Sequence, residues 1–215
     1  MTLNDPFVIT ISREIGSGGG SVGRKLAAKL NVHYSDKQLI QELEKRLNLT
    51  REGIEHLKKK KKHWLTDMLE EVAPIPKASV TVDGHTYTRE FPETVNVQDV
   101  YEAEKEILSA IADEGSCVII GRSAFFVLKD RPNKVDIFIT APKEKRVERI
   151  MAKQGISREE AEKICDEVDK GRDNYVKRFT GLSRDDARNY NLVIDMANLT
   201  EDEAVEKILA FIGRA

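Results

Sequence analysis

Six consecutive residues, Gly16-Ser17-Gly18-Gly19-Gly20-Ser21, are drawn only from glycine and serine. Such a run lets backbone N–H groups close around an anion, with hydroxyls beside them. Arg13 precedes the run, and Arg24 and Lys25 follow it, so cations stand on both sides. The chemistry indicated is phosphate binding. Further along, Arg122 stands just past the apolar run Cys117–Ile120, and residues 157–188 carry Arg158, Lys163, Lys170, Arg172, Lys177, Arg178, Arg184 and Arg188. Mobile arginines neutralise a phosphoryl group in transfer and exclude water from it. Glu159, Glu160, Glu162, Asp166 and Glu167 share that segment. Its first half therefore also reads as an ion-paired surface helix, an account that fits the Lys170–Arg178 cluster less well.

Two templates compete for the glycine run. Gly18, Gly20 and Gly23 match the dinucleotide fingerprint G-x-G-x-x-G, and Asp36 lies 18 positions beyond Gly18, near where a ribose-binding acid is expected. The other template is the phosphate loop G-x-x-x-x-G-K-[ST], from which the lysine is missing here. A tight turn with no ligand is the third possibility, and a poor use of six Gly and Ser residues.

These residues need elements to position them. Phe7–Ile11 is a β-branched run that predicts a buried strand before the glycine turn, and a helix follows from about Ser21 with Leu26, Ala27 and Leu30 on one face. Strand, glycine turn and helix together bring the helix N-terminus to an anion. Cys117–Ile120, Val135–Thr140 and Leu192–Ile194 predict further strands, with Val32–Tyr34 a shorter one. Helical patterns alternate with them, which predicts an α/β fold with a parallel sheet. Arg122 then falls at the C-terminal end of a strand, the sheet edge where ligands bind. Helix starts are marked by capping boxes at Ser35/Gln38, Ser157/Glu160 and Thr200/Glu203, and Gly115 ends a helix begun near Val97. Residues 50–96 break the alternation. They hold a helical stretch, the prolines Pro74 and Pro76, and a hairpin signal around Asp83-Gly84, as an insertion after the second strand.

The chain has 215 residues, enough for a single domain with a small insertion, and a net charge of −2. That balance argues against a large nucleic-acid surface. The five-lysine run Lys58–Lys62 is flanked by Glu42, Glu44, Glu55, Asp67, Glu70 and Glu71, and reads best as part of a solvated ion-paired surface. The two cysteines and four histidines have no metal-ligand spacing, and Cys117 reads as a buried thiol in a strand. No apolar run approaches membrane-spanning length and no signal segment opens the chain, so a cytoplasmic protein is expected.

The motifs ISREIGSGGGSVGRKLA (11–27), YSDKQLI (34–40), CVIIGRSA (117–124), DIFITAP (136–142) and RDNYVKRFTG (172–181) resemble those of the cytidylate kinase-like family, a branch of the P-loop nucleoside monophosphate kinases. The resemblance covers nearly the whole chain. It implies a five-stranded parallel sheet with flanking helices, an acceptor region after the second strand, within about 50–96, and a helical lid at about 155–182. It implies ATP and Mg²⁺ as partners, and a (deoxy)pyrimidine monophosphate, CMP or dCMP, as acceptor. On that basis Gly16, Ser17, Gly18, Gly19, Gly20 and Ser21 would bind the nucleotide phosphates, with the Ser21 hydroxyl on magnesium. Arg122, Asp36 and Lys37 would serve the acceptor, and Arg172 and Arg178 would clamp the transferring group.

The chain departs from this pattern at two places. The loop lysine is replaced by Gly19, and the glycine that opens the loop by a residue near Arg13. Arg13, Arg24 or Lys25 would then supply the missing cation. Ser123 stands where an acidic residue often follows the strand-tip arginine, which bears on the acceptor base. Three alternatives stay open at this level: a nucleotide-binding module without turnover, a kinase for another small acceptor, and a nicotinamide-dependent oxidoreductase.

Overall fold

A computed structural model describes residues 1–35, 79–82, 85–88 and 97–213. Asp36, Lys37, the Lys58–Lys62 run, the Ser35/Gln38 capping box and most of the 50–96 segment lie outside the described residues. In chain order the elements are β1 (Val8–Arg13), α1 (Gly19–Leu30), β2 (His33–Ser35), β3 (Ser79–Val82), β4 (His85–Thr88), α2 (Val97–Glu114), β5 (Cys117–Ile120), α3 (Ala124–Val127), β6 (Lys134–Thr140), α4 (Lys143–Gln154), α5 (Arg158–Thr180), β7 (Leu192–Asp195) and α6 (Glu201–Ile212). The five expected strands are all present, shifted by a residue or two at most ends. The first helix opens at Gly19, two residues before Ser21, so the last glycines are helical.

The main sheet has the order β2-β5-β1-β6-β7, and every neighbouring pair is parallel. β1 is central because both its faces are covered, which explains its near-continuous apolar run. Ile9 and Ile11 face one layer, where Val22 and Leu26 of α1 and Val205, Ile208 and Ile212 of α6 complete the core. Val8 faces the other, with Ile107 and Leu108 of α2 and Leu128. β3 and β4 form an antiparallel hairpin, Ser79 opposite Thr88 and Val82 opposite His85, as the Asp-Gly signal predicts.

This order sets aside the oxidoreductase alternative. In a dinucleotide-binding sheet the second strand lies beside the first; here β5 separates β2 from β1. Gly23, the third glycine of that fingerprint, is a packing residue: an added Cβ would collide with Ile120 and come within 3.2 Å of Ile11. Among the described residues no helix is long and apolar enough to cross a membrane.

Candidate phosphate and acceptor site

The glycine loop joins β1 to α1 at the C-terminal end of the central strand. Gly18 is the N-cap of α1, with φ of 89°, and no side chain caps this helix. The first N–H groups of a helix have no partner inside it. Among the described residues Gly19 N–H meets only the Ser17 Oγ, at 3.4 Å. Among the described residues an added Cβ at Gly20 would meet nothing within 4 Å, so they leave this side of the loop open. The helices α5 and α6 are treated differently. Complete capping boxes, Ser157 with Glu160 and Thr200 with Glu203, close both N-termini. α1, like α3 and α4, has no side-chain cap, and at the glycine loop its amides and helix dipole favour an anion.

The outer side of the loop is held by α4 and α5. Arg149 Nη1 donates to the carbonyls of Gly16 and Ser17, at 3.4 and 3.1 Å, while its Nη2 donates to Met196 O at 3.0 Å. Arg146 Nη1 donates to Ile15 O at 3.3 Å and to Asp169 Oδ2 at 2.5 Å. Asp169 Oδ1 accepts the Ile15 N–H at 3.0 Å. A trans peptide sets each N–H opposite its C=O. Drawing the Ser17 carbonyl toward Arg149 therefore aims the Gly18 N–H away from α4. Gly16 has φ of 76°, and an added Cβ would stand 2.6 Å from the Arg146 carbonyl, so no other residue fits there. Ser17 is fully buried and donates to Glu14 O at 2.9 Å, a bond within the turn itself. Glu14 accepts from Thr140 Oγ1 and from Ala141 N–H, which ties the loop to the end of β6.

The place of the missing lysine is occupied. A Cβ at Gly19 would lie 2.7 Å from Cβ of Arg13. The Arg13 side chain runs from the tip of β1 across Gly19 to Gly121, where its Nη1 would collide with an added Cβ. Glycine at 19 and at 121 is the space this side chain needs. Of the cations the sequence offered as substitutes, Arg13 is thus inside the loop. Arg24 is exposed, with its guanidinium 5.6 Å from the centre of the Tyr34 ring. Lys25 pairs with Glu201 and Asp202 of α6, at 3.3 and 2.9 Å. Ser21 is the third residue of α1 and half-buried.

Arg172 and Arg184 converge on the same strand tip. Their Nη1 atoms donate to the Arg13 carbonyl at 3.1 and 2.9 Å. Asp169 lies 3.4 Å from Arg172 and 3.5 Å from Arg184, and Asp173 accepts from Arg184 Nε at 2.6 Å. Burial, then the charges of Arg13, Arg184 and Arg122 against the opposing pull of Asp169, brings the Arg172 pKa down to about 9. A guanidinium keeps its proton at neutral pH. The penalty for crowding four arginines is therefore expressed as attraction for an anion. Arg184 is 4% exposed; burial lowers its pKa, but Asp173, Asp169 and Asp185 outweigh that and raise it. Its role in the site was not visible in the sequence, and neither were those of Arg146, Arg149 and Asp169. Arg184 is one of the cations counted over residues 157–188, but no spacing sets it apart from its neighbours there.

Arg122 stands on a turn in which Gly121, Arg122 and Ser123 all have positive φ, at 74°, 57° and 54°. Two consecutive non-glycine residues in that region carry strain. Its Nη1 donates to Oε1 of the fully buried Glu104 at 2.9 Å. Among the described residues the buried Ser123 hydroxyl has no hydrogen-bond partner. Arg178 is exposed on the far turn of α5, 5.5 Å from the Phe179 ring centre, outside the arginine group. Cys117 is buried, and burial pushes its thiol up to about 11, as expected of an inert strand cysteine. Among the described residues no cluster of three or more His, Cys, Asp or Glu is placed to hold a metal ion.

A model of the cytidylate kinase-like family matches residues 8–198. Over 109 residues the chain is 32% identical to the cytidylate kinase of Methanopyrus kandleri, a match covering 47% of this chain and 56% of that protein. It is 31% identical over 110 residues to a uronate isomerase of Corynebacterium glutamicum, covering 51% of this chain and 21% of that one. The chain thus spans about half, and about a fifth, of the length of these two relatives. Among solved structures, an uncharacterized protein from Eubacterium ventriosum superposes with a TM-score of 0.67 at 23% identity, covering 97% of this chain and 99% of that one. A gluconokinase from Sinorhizobium meliloti does so at 0.54 and 15%, covering 97% and 93%, and a shikimate kinase from Bacteroides thetaiotaomicron at 0.53 and 14%, covering 96% and 98%. These likenesses establish the fold as that of the P-loop kinases. With its five-stranded parallel sheet, its uncapped glycine loop and the match over residues 8–198, the chain belongs to the cytidylate kinase-like family.

Proposed function

We propose that this chain transfers the γ-phosphoryl group of ATP to a small phosphorylated acceptor, a pyrimidine nucleoside monophosphate such as CMP or dCMP. The observation that carries this reading is the convergence of Arg13, Arg122, Arg172 and Arg184 beside an uncapped helix N-terminus. An acceptor phosphate is already anionic, so no strong general base is required. What the protein supplies is position and charge neutralisation.

The residues fit a nucleotide triphosphate. The open side at Gly20 and the outward-drawn carbonyls of Gly16 and Ser17 make a cradle of amides for its phosphates, with Gly18 and Gly19 at its centre. Ser21 would offer its hydroxyl to Mg²⁺. That ion, when bound, neutralises developing charge and needs few protein ligands, since phosphate oxygens and water complete its shell. Arg13 takes the part of the loop lysine. Arg172 donates to the Arg13 carbonyl and has charge to offer the transferring group. Arg122 faces the acceptor, with Asp36 and Lys37 assigned to the same end. The pyrimidine preference rests on family membership and on the similarity to the M. kandleri cytidylate kinase.

The test is steady-state kcat/KM with ATP and Mg²⁺ for CMP, dCMP, UMP, AMP and GMP, with gluconate and shikimate beside them. CMP or dCMP is expected to lead. A purine in front removes the pyrimidine assignment. Turnover of a hydroxyl acceptor alone moves the chain to another kinase class, and ATP binding without turnover of any acceptor makes it a non-catalytic module.

A further inference from the structure

Glu104 is buried completely, yet it sits on the core-facing side of α2, one turn from Tyr101 and one from Leu108. A helix face otherwise built from tyrosine, isoleucine and leucine gains nothing in packing from a carboxylate, and burying one is costly unless it is fully paired. Here both oxygens are used. Oε1 accepts from Arg122 at 2.9 Å, and Oε2 accepts from the hydroxyl of Tyr175 on α5. Burial pushes the Glu104 carboxyl up, against the pull of Arg122 and the Tyr175 hydroxyl. Tyr175 is itself fixed by rings: Phe179 lies 4.8 Å away, and Tyr101 of α2 stacks on Phe179 at 4.3 Å. Tyr175 is three residues from Arg172, so both project from one side of α5.

Taken with the function proposed above, on which this rests, we infer that Glu104 is a positioning residue. It aims Arg122 at the acceptor anion and holds α5 against α2 through Tyr175, on the side of α5 that carries Arg172. The turn at Arg122 shows that such aiming is needed. A residue with φ of 57° between two others of positive φ has no local preference for this conformation, and something must hold it. Among the described residues Glu104 is the side chain that binds Arg122, through one guanidinium nitrogen, and the Arg122 side chain is 20% exposed. Local rules broken at two adjoining points, a carboxylate in a core and a run of left-handed residues, are the mark of a site rather than of packing.

The experiment titrates CMP, UMP and inorganic phosphate against the full chain and its variants, with KM and kcat measured where turnover exists. Arg122→Ala is expected to weaken anion binding by about tenfold or more, as for loss of a half-buried charged donor. Glu104→Ala should raise the acceptor KM by a similar factor and leave the ATP KM within about twofold. Glu104→Gln keeps the shape and one acceptor oxygen, and should recover most of the loss. In the double variant Glu104→Ala/Arg122→Ala, the two effects should not add. A folded Glu104→Ala that binds all three probes like the parent overturns the inference, as does additivity in the double variant. Loss of melting temperature with unchanged KM means a structural role only and overturns it too. Should Glu104→Ala fail to fold, Tyr175→Phe decides, since it removes the hydroxyl that Glu104 Oε2 accepts from, and an unchanged acceptor affinity in that variant counts against the inference. A parent that binds anions, with the Glu104 effect intact, but turns over no acceptor refutes the kinase reading and spares this one. A parent that binds none of the three probes refutes both.

Discussion

Arg172 and Arg178 lie six residues apart on one helix, and the sequence offers them as a pair. The fold treats them oppositely. Arg172 is 22% exposed, donates to the Arg13 carbonyl, and is crowded by Arg13, Arg184 and Arg122. Arg178 is exposed and rests near the ring of its neighbour Phe179. A cation in water is screened, whereas one withdrawn from water and pressed against like charges acts strongly on whatever anion reaches it. The difference comes from the helix period. Residues 172 and 175 face α2 and the loop, and residue 178 has begun to turn away toward solvent. Proximity in sequence says little about which arginine has electrostatic leverage.

The largest test of this contrast is Arg172→Ala. It should lower kcat by about a hundredfold or more, by analogy with other charge stabilisers. Arg178→Ala should change kcat by less than about threefold, as befits an exposed charge. Comparable losses in both variants would break the comparison. The same contrast should appear without turnover. Inorganic pyrophosphate should raise the melting temperature of the parent and of Arg178→Ala, and do so much less in Arg172→Ala.

Next in size is the exchange inside the loop. Gly19→Lys alone should be destabilising by about 1–3 kcal/mol, because the new side chain and Arg13 claim one space. Arg13→Gly alone should lose about a hundredfold in kcat. The double variant Arg13→Gly/Gly19→Lys should recover much of both, since it rebuilds the lysine-bearing loop. Thermal melts and kcat on the three variants check this. Absence of recovery would mean that Arg13 is not the substitute cation.

A third effect sharpens the comparison from outside the site. Arg149→Ala frees the carbonyls of Gly16 and Ser17 and should raise the KM for ATP by about tenfold, with a smaller change in the acceptor KM, because it loosens the cradle and not the arginines. A loss in kcat alone would contradict that division. Smallest of all, Ser157→Ala removes the cap of α5 and should cost about 1 kcal/mol in stability with activity unchanged. The cap stands more than three turns from Arg172, and a clear loss of kcat would show that the start of α5 also aims that residue.

Much of this could be read along the chain. The strand at Phe7–Ile11, the glycine turn, the helix with Leu26 and Leu30, and the capping boxes at Ser157 and Thr200 are patterns of a few residues, and each formed as its period and chemistry required. The hairpin at Ser79–Thr88 is equally local. Parallel pairing followed from alternation, since strands buried on both faces read as unbroken apolar runs. The dinucleotide fingerprint stayed open as an alternative because a short glycine pattern does not distinguish an amide cradle from a glycine, Gly23, that lets a helix approach a sheet.

What the local chain determined, then, is each element, its start and stop, and the existence of an anion-binding turn. What only the tertiary structure decided is the company that turn keeps. Arg149 and Arg146 reach it across more than 130 residues, Asp169 across 154, and Arg172 and Arg184 across 159 and 171. Glu104 became the partner of Arg122 and Tyr175 in the same way. Short-range preferences are written in neighbouring side chains, whereas a contact between distant segments is selected by how sheets and helices stack around a shared core. No spacing in the sequence records it.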